Sequence, residues 1–191
     1  MLLAMGVKAK RRSRRGFAVA LAAAALAMGA ANLILRGSEP GGIEDVHAFM
    51  FGKPDLGAVD FATLRRRRVP NDALACPPEV CPNASPDIVP PVFPVPGERL
   101  RRIVTAVATA EPRTELIFSD RWAEQDRYLV RSRLLRFPDT VDVLVIGQGE
   151  GRSTLALYSR SQIGFVDFGV NRARIARWLE RVGEVAAREG A

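Results

Sequence analysis

The sequence predicts an α+β fold: a helix, a four-stranded antiparallel meander and a C-terminal helix, preceded by an extended proline-rich arm and an N-terminal transmembrane or signal helix. Three observations predict this order. An uncharged stretch of 19 residues lies near the N-terminus, and eight of the 20 residues from Pro77 to Pro96 are proline. The rest of the chain alternates short apolar runs with glycine and proline turns and ends in a helical pattern.

The net charge of +7 belongs to one end of the chain. Six of the 28 basic residues lie within residues 1–15, so residues 16–191 carry 22 basic against 21 acidic residues and a net charge of +1. A duplex-binding protein carries its basic excess on the domain that docks. We therefore expect no nucleic-acid partner.

The N-terminus has the pattern of a membrane-targeting segment. Residues 1–16 form a basic flank that we predict to stay in the cytoplasm, and residues 17–35 form the apolar stretch. About 20 apolar residues span a bilayer as a helix, and arginines and lysines before it remain on the cytoplasmic side. The remaining chain is predicted to be exported.

Three versions of this export remain open. An uncleaved anchor would give a single-pass inner-membrane protein with a periplasmic domain. Cleavage at the small residues Gly29, Ala30 and Ala31 would give a periplasmic protein. The run Ser13–Phe17 also resembles a twin-arginine signal, which is a third route to the same compartment.

The exported part divides into a linker and one domain. Residues 36–59 mix glycine, proline and charge and are predicted to be a linker, and residues 60–190 are predicted to form a single α+β domain. Within the domain, residues 60–96 would be the extended arm and residues 97–190 the core, because proline lacks the N–H that helices and central strands need. His47, the single histidine, lies in the linker, and we expect it to have a surface or packing role.

Cys76 and Cys81 are predicted to form a structural disulfide. Disulfides persist in exported proteins. A zinc site would need two further ligands of suitable spacing, and a redox pair would favour the compact CxxC arrangement over the CxxxxC found here. We expect no metal and no cofactor.

The core contains two predicted helices and four predicted strands. Residues 98–110 have apolar positions at helical spacing, and Pro112 stops that helix. The last helix is predicted from about Val170 to about Glu189. The strands, joined by tight turns, are predicted at Glu115–Ser119, Arg127–Phe137, Thr140–Ile146 and Arg152–Arg160.

Strand alternation assigns two faces to this sheet, if Leu134 pairs with Val143 and Val143 with Leu155. The predicted core face consists of Val130, Leu134, Val141, Val143, Val145, Leu155 and Leu157. The other face consists of Arg131, Arg133, Leu135, Phe137, Asp142, Leu144, Tyr158 and Arg160. That second face is too apolar to lie in water, so either the proline-rich arm covers it, which we expect, or it binds a ligand or partner.

The corner between the last strand and the last helix holds the densest group of polar residues. Asp167 is placed to cap the helix, and Asn171 points about 40° from the centre of the apolar stripe, towards the domain. One hypothesis is an anion-binding site, because guanidinium groups beside a helix N-terminus attract anions. Its residues would be Arg131, Arg133, Arg160, Asp167, Asn171 and Arg174. The alternative is an internal network in which the arginines pair with Asp139 or Asp142.

These residues also carry a resemblance to a known family. The motif SRSQIGFVDFGVNRARI, with RSRLLRFPD, DFATL, PPVF and CPPEVC before it, resembles the family of unknown function DUF1499. The resemblance covers about residues 60–179, and the chain departs from it at Gln162, where the family usually has a basic residue. It implies a small, exported or membrane-anchored protein without an assigned reaction.

Three functions follow from these observations. The first is a non-enzymatic module of the cell envelope that binds an envelope protein or a small anionic ligand, with the membrane as a further partner if residues 17–35 are not cleaved. The second is an enzyme that uses Asp139 and Asp167 as a carboxylate pair. The third is a structural or assembly protein whose outer sheet face pairs with another chain.

Overall fold

The computed structural model of the chain describes residues 3–190, with side chains from residue 16 onward. Two units can be distinguished. One comprises the residues up to Val46 together with Leu134–Arg136, and the other comprises His47–Arg133 and the residues from Phe137 on.

The first unit consists mainly of helix α1, Leu3–Arg36. Within it, Gly16–Arg36 is long and apolar enough, by length and composition, to cross a membrane, and none of its side chains is buried. A signal anchor and a signal peptide both contain such a helix. In the same unit, the Arg136 guanidinium lies 2.6 Å from the Glu44 carboxylate.

The predicted α+β architecture is confirmed, with one more strand than expected. After helix α2, Ile43–Phe51, come β1 Asp72–Ala75, α3 Gly97–Ala110, β2 Thr114–Asp120, β3 Gln125–Arg131, β4 Pro138–Gly147, β5 Ser153–Ser161 and α4 Val170–Glu189. The strands form one antiparallel sheet in the order β1-β5-β4-β3-β2. The four C-terminal strands are the predicted meander. The fifth, β1, comes from the arm and pairs with β5.

Helices α3 and α4 pack on one face of the sheet, which we call the helix side. Tyr128 of β3 meets Trp178 of α4 edge to face, with 5.6 Å between the ring centroids. Most of the predicted core face is buried there, namely Val130, Val141, Val143, Val145, Leu155 and Leu157. The helix side is therefore the main apolar core of the second unit.

The prediction for Leu134 was wrong. Strand β3 ends at Arg131, and Leu134 lies in the following turn with 68% of its surface exposed. Val143 pairs with Asp126 and Leu157, not with Leu134 and Leu155. The observed partner of Val143 on β5, Leu157, is two residues from the predicted partner, Leu155. A shift of two residues leaves every side chain on its predicted face, because side chains alternate along a strand with period two.

The opposite face of the sheet, the outer side, is covered in part by the arm, as expected, and in part by residues 55–59 of the predicted linker. Its apolar cluster joins Leu74, Ala156 and Tyr158 of the sheet to residues that lie over them, namely Val59, Phe61, Leu64, Cys76 and Cys81. The proline-rich stretch itself divides between the two sides, because Phe93 and Val95 are buried on the helix side. Two residues placed on this face by the prediction, Arg133 and Leu135, lie instead in the turn after β3.

The predicted disulfide is confirmed: Cys76, directly after β1, is bonded to Cys81, with 6.3 Å between the Cα atoms. The stretch predicted as a linker contains α2, and His47 of this helix is buried, 5.1 Å from the ring of Phe137. Its packing role agrees with expectation. Residues 55–59 also contact the outer side of the sheet, through bonds described below.

Candidate functional site

The predicted polar corner is built where β4 begins, β5 ends and α4 begins. Asn171 is fully buried there. Its Oδ1 accepts hydrogen bonds from the Ser159 hydroxyl at 2.5 Å and the Arg174 guanidinium at 2.7 Å. Its Nδ2 donates to Ser161 Oγ at 2.9 Å and to the Asn71 carbonyl at 3.1 Å. An amide has two donors and two acceptor positions, so this side chain is fully satisfied.

Arg174 joins the start of β4 to this amide. One guanidinium nitrogen donates to Asp139 Oδ2 at 2.6 Å, and the other donates to Ser159 Oγ at 2.8 Å. Both Arg174 and Asp139 are buried. Breaking such a buried pair leaves an uncompensated charge and is strongly destabilising, so the pair fixes the geometry of the corner.

Asp167 caps α4 from outside its first turn. Its Oδ1 accepts a hydrogen bond from the Gly169 N–H at 3.0 Å, and its Oδ2 accepts one from the Asn171 N–H at 2.9 Å. The bonds satisfy amides that the helix leaves without partners, and the negative charge suits the positive end of the helix dipole. The sequence interpretation of Asp167 as a cap is thus supported by its contacts.

The other three predicted site residues lie apart from this network. Arg160 is on the outer side of the sheet, where its guanidinium donates to Asp142 Oδ2 at 2.7 Å. Arg131, at the end of β3, donates to Glu115 Oε2 at 3.2 Å. Arg133 is exposed. The structure therefore brings together Asn171, Arg174 and the Asp167 cap, and their contacts are those of the internal-network hypothesis. An anion-binding role for the six residues stays a prediction.

Sequence reasoning missed Asn71, whose Nδ2 donates to the Gly164 carbonyl at 2.7 Å. Asn71 directly precedes β1, and its backbone carbonyl also accepts a bond from the Ser161 N–H. The signal that could have found it is β1 itself, because a fifth strand beside β5 places the residue before it at the same corner.

Asp142 occupies the middle of the outer side under residues 55–59. Burial raises the pKa of its carboxyl from 3.8 to about 6, although the neighbouring Arg160 guanidinium acts in the opposite direction. Arg160 also donates to the Gly57 carbonyl at 2.8 Å. Beside them, Arg127 donates to Asp55 Oδ2 at 2.9 Å. These charges join the covering residues to the sheet.

The two carboxylates considered for catalysis contact different groups. Asp139 is bonded to Arg174, and Asp167 to backbone amides. Within residues 16–190, no group of three or more His, Cys, Asp and Glu side chains is arranged to hold a metal ion. The arrangement is suited to holding the corner rigid.

Two open depressions lie on the surface of the second unit. The smaller, about 330 Å³, lies at the corner and is lined by residues that include Arg66, Asp167, Phe168 and Arg172. The larger, about 750 Å³, lies along α3, β2 and β3. Its Arg101 guanidinium is already bound by Asp126, at 2.6 Å.

The surface of the corner is apolar. The segment Gly164–Val170, which is the loop before α4 and the first residue of that helix, exposes four large side chains, those of Phe165, Val166, Phe168 and Val170. Phe165 is 81% exposed and Phe168 is 93% exposed. Under this loop lies the hydrogen-bonded network around Asn171, so the corner combines a fixed interior with an apolar exterior.

Comparison with known proteins identifies a family. The family model described as "Protein of unknown function (DUF1499)" matches residues 71–182, which contain all the strands and the whole polar corner. None of the curated proteins matches the chain.

Two solved structures show weak likenesses. The di-domain ARO/CYC BexL from the BE-7585A biosynthetic pathway is similar with 11% identity and a TM-score of 0.39, over 50% of this chain and 44% of that chain. TTHA0849 from Thermus thermophilus is similar with 10% identity and a TM-score of 0.28, over 62% of this chain and 92% of that chain. Neither likeness carries an argument about function.

Proposed function

The chain belongs to the DUF1499 family of unknown function, and from this premise we propose that it is a non-enzymatic module of the cell envelope that binds a partner or an anionic ligand. Uncleaved, it is a single-pass inner-membrane protein with its domain in the periplasm. Cleaved after its apolar helix, it is a periplasmic protein.

Two features support an exported domain. The basic flank precedes an apolar helix that is long enough to cross a bilayer, which favours a cytoplasmic N-terminus. The disulfide between Cys76 and Cys81 fits an oxidising compartment. Both features point to the far side of the inner membrane.

The observation that carries a binding role is the contrast between the interior and the surface of the corner. Inside, the side chain of Asn171 is saturated, and Asp139 and Asp167 are each bonded to a cation or to amides. A general acid or base needs a reactive carboxylate within reach of a substrate. Outside, Phe165 and Phe168 lie in the solvent. The corner thus favours docking over catalysis.

One observation favours the assembly role as a second candidate. Strand β2 is an edge strand, and its Leu116 and Phe118 side chains are partly exposed. An edge strand presents unpaired backbone groups that another chain can extend. Sedimentation of the full chain in mild detergent distinguishes the two candidates: a dimer that the substitution Phe118→Lys dissociates would support assembly, and a monomer would support the binding module.

The proposal is tested on the native full chain. The intact mass shows whether the chain retains or lacks the apolar helix. In either case we expect it to be lighter by two hydrogens than the reduced form, because of the disulfide. An anionic ligand that survives purification would add its own mass. Protease added to spheroplasts should digest the domain of an uncleaved chain. Two results together would overturn the proposal by placing the protein in the cytoplasm. The domain would resist protease in spheroplasts but not in lysed cells, and both cysteines would be alkylated without prior reduction.

A further inference from the structure

The loop Gly164–Val170, which we call the closing loop, presents its apolar side chains outward. Phe165 and Phe168 are 81% and 93% exposed, and Val166 and Val170 are about half exposed. Side chains exposed to this extent have little protein around them. They are therefore available to enter an apolar medium rather than to surround a ligand, and a group of large exposed apolar side chains is a candidate interaction site.

The backbone holds Phe168 in this position at a conformational cost. Its φ is +53°, in the left-handed region that residues with a Cβ rarely adopt, and Gly169 follows with φ +79°. Asp167 fixes this turn by accepting hydrogen bonds from the N–H groups of Gly169 and Asn171. An exposed phenylalanine kept in a disfavoured conformation by the surrounding structure indicates a functional constraint.

An arginine-rich segment, Arg65–Arg68, is attached to the same corner. Arg67 donates to the Ser161 carbonyl at 2.7 Å, and the Asp167 N–H donates to the Pro70 carbonyl at 3.4 Å. From the other side, Arg172 lines the same depression as Phe168. Basic groups therefore lie beside the closing loop, with Arg66 and Arg172 lining one depression together with Phe168.

The acidic groups at this corner are already engaged. Arg66 forms ion pairs with Asp72 at 2.7 Å and with Asp87 at 2.9 Å, and Asp167 is bonded to the helix amides. Five arginines against three carboxylates leave a charge of +2 at the corner (5 − 3). Four of the five arginines, Arg65, Arg67, Arg68 and Arg172, are exposed, and the Arg67 guanidinium donates to a carbonyl oxygen.

We propose that the closing loop and the arginine-rich segment form a docking surface for a bilayer that contains anionic lipids. Aromatic and aliphatic side chains that enter the acyl boundary, with arginines at the level of the headgroups, are the combination that peripheral membrane-binding segments use. This inference rests on the proposed function, and it names the partner. A membrane is favoured over a soluble partner because residues 17–35 would keep an uncleaved chain attached to the membrane, where docking becomes intramolecular.

The test uses the full chain reconstituted into vesicles whose acyl chains are brominated, because bromine quenches a nearby tryptophan. The reporter variant combines Phe168→Trp with Trp122→Phe, and the matched control is the unsubstituted chain, whose Trp122 is 99% exposed at the opposite end of the sheet. Trp178 is buried in both chains and gives an equal background. A second reporter, Phe165→Trp with Trp122→Phe, replaces the first if that variant has an altered circular dichroism spectrum.

We expect brominated phosphatidylglycerol-containing vesicles to quench the reporter at 168 by about half, and the control at 122 hardly at all. In the reporter chain, replacing Arg65, Arg68 and Arg172 with glutamine should weaken docking by roughly five-fold per arginine. High salt should also weaken docking, because it screens the attraction between the arginines and the anionic lipids. Vesicles of phosphatidylcholine alone should give clearly less quenching.

Equal quenching at positions 168 and 122 in anionic vesicles would overturn the proposal. So would crosslinking of the closing loop to another protein or to a second copy of this chain, if the tryptophan at position 168 is not quenched. Its failure is distinct from failure of the proposed function. A chain shown by protease and thiol labelling to be exported and oxidised, yet unquenched, loses only the lipid partner. A cytoplasmic, reduced chain loses the proposed function as well.

Discussion

The helix side and the outer side of the sheet are both covered, but by different kinds of structure. Two helices cover the helix side, and helices satisfy their own backbone hydrogen bonds, so most of the sheet side chains that they bury are apolar. The polar sheet residues on this side, such as Asp139 and Ser159, bond to helix side chains rather than to helix backbone. Irregular chain covers the outer side, and its backbone groups need partners.

The polar residues of the outer side supply those partners. The Thr140 hydroxyl accepts a bond from the Leu56 N–H at 3.2 Å, Arg160 donates to the Gly57 carbonyl at 2.8 Å, and Gln125 donates to the Val59 carbonyl at 2.8 Å. Buried polar residues on a sheet face can thus be explained by the kind of backbone that lies over them. No ligand is needed to account for these three.

The largest expected effect tests the apolar side of this comparison. Trp178→Ala removes a buried indole that contacts Tyr128, and should lower the free energy of unfolding by about 3–5 kcal/mol. Urea denaturation of the full chain in mild detergent measures it. The control Trp122→Ala removes an exposed indole and should change the stability by less than about 0.5 kcal/mol. Similar losses for both variants would contradict the assignment of the core to the helix side.

The same contrast explains how far the sequence could be interpreted. Alternation predicted Val141, Val143 and Leu157 as core because period-two burial under helices is a local pattern. It failed at Leu134 because nothing local showed that β3 stops at Arg131.

The outer side depends on contacts between distant parts of the chain. The bond from Arg160 to Gly57 joins residues 103 positions apart. Gly57 lies in a stretch that its composition indicated to be a linker. Composition describes flexibility of the isolated segment, and it cannot show that a sheet face offers that segment hydrogen-bond partners.

In the candidate site, as in the sheet, the local features were predictable from the sequence and the long-range contacts were not. The cap by Asp167 and the inward direction of Asn171 follow from helix geometry, which is local. Asn71 was missed because it reaches the corner through β1, a strand of four residues whose pairing with β5 is long-range. The exposed phenylalanines are equally invisible to a pattern, because apolar residues in a loop are normally interpreted as buried.

The second prediction tests the charged side of the comparison through pH. The pKa of Asp142 is about 6 in the folded protein, against 3.8 for an ordinary aspartate. Between pH 3.8 and about pH 6, the folded protein therefore holds a proton on this carboxyl that the unfolded chain has lost. The stability from the neutral carboxyl is complete below about pH 4 and is lost as the pH rises to about 6. Relative to Asp142→Asn, the native chain should therefore lose up to about 3 kcal/mol across this range.

Urea denaturation of both chains between pH 4 and pH 7.5 gives this difference directly. Glu150→Gln, at an exposed turn, controls for the removal of a carboxylate as such. A difference between the native chain and Asp142→Asn that stays constant with pH would show that the outer side does not bury this carboxyl in the folded state.

The smallest expected effect concerns the disulfide that fastens the cover of the outer side. Replacing Cys76 and Cys81 with alanine opens a loop of five residues, and the loop entropy predicts a loss of about 2 kcal/mol in the free energy of unfolding. Both cysteines belong to the outer apolar cluster, so the loss should appear without any change at Trp178, whose near-ultraviolet circular dichroism reports the helix side. Dithiothreitol should reproduce the loss in the native chain and leave the double variant unaffected. If the double variant instead loses the Trp178 signal before it unfolds, the two sides of the sheet are not energetically separate, and the comparison fails.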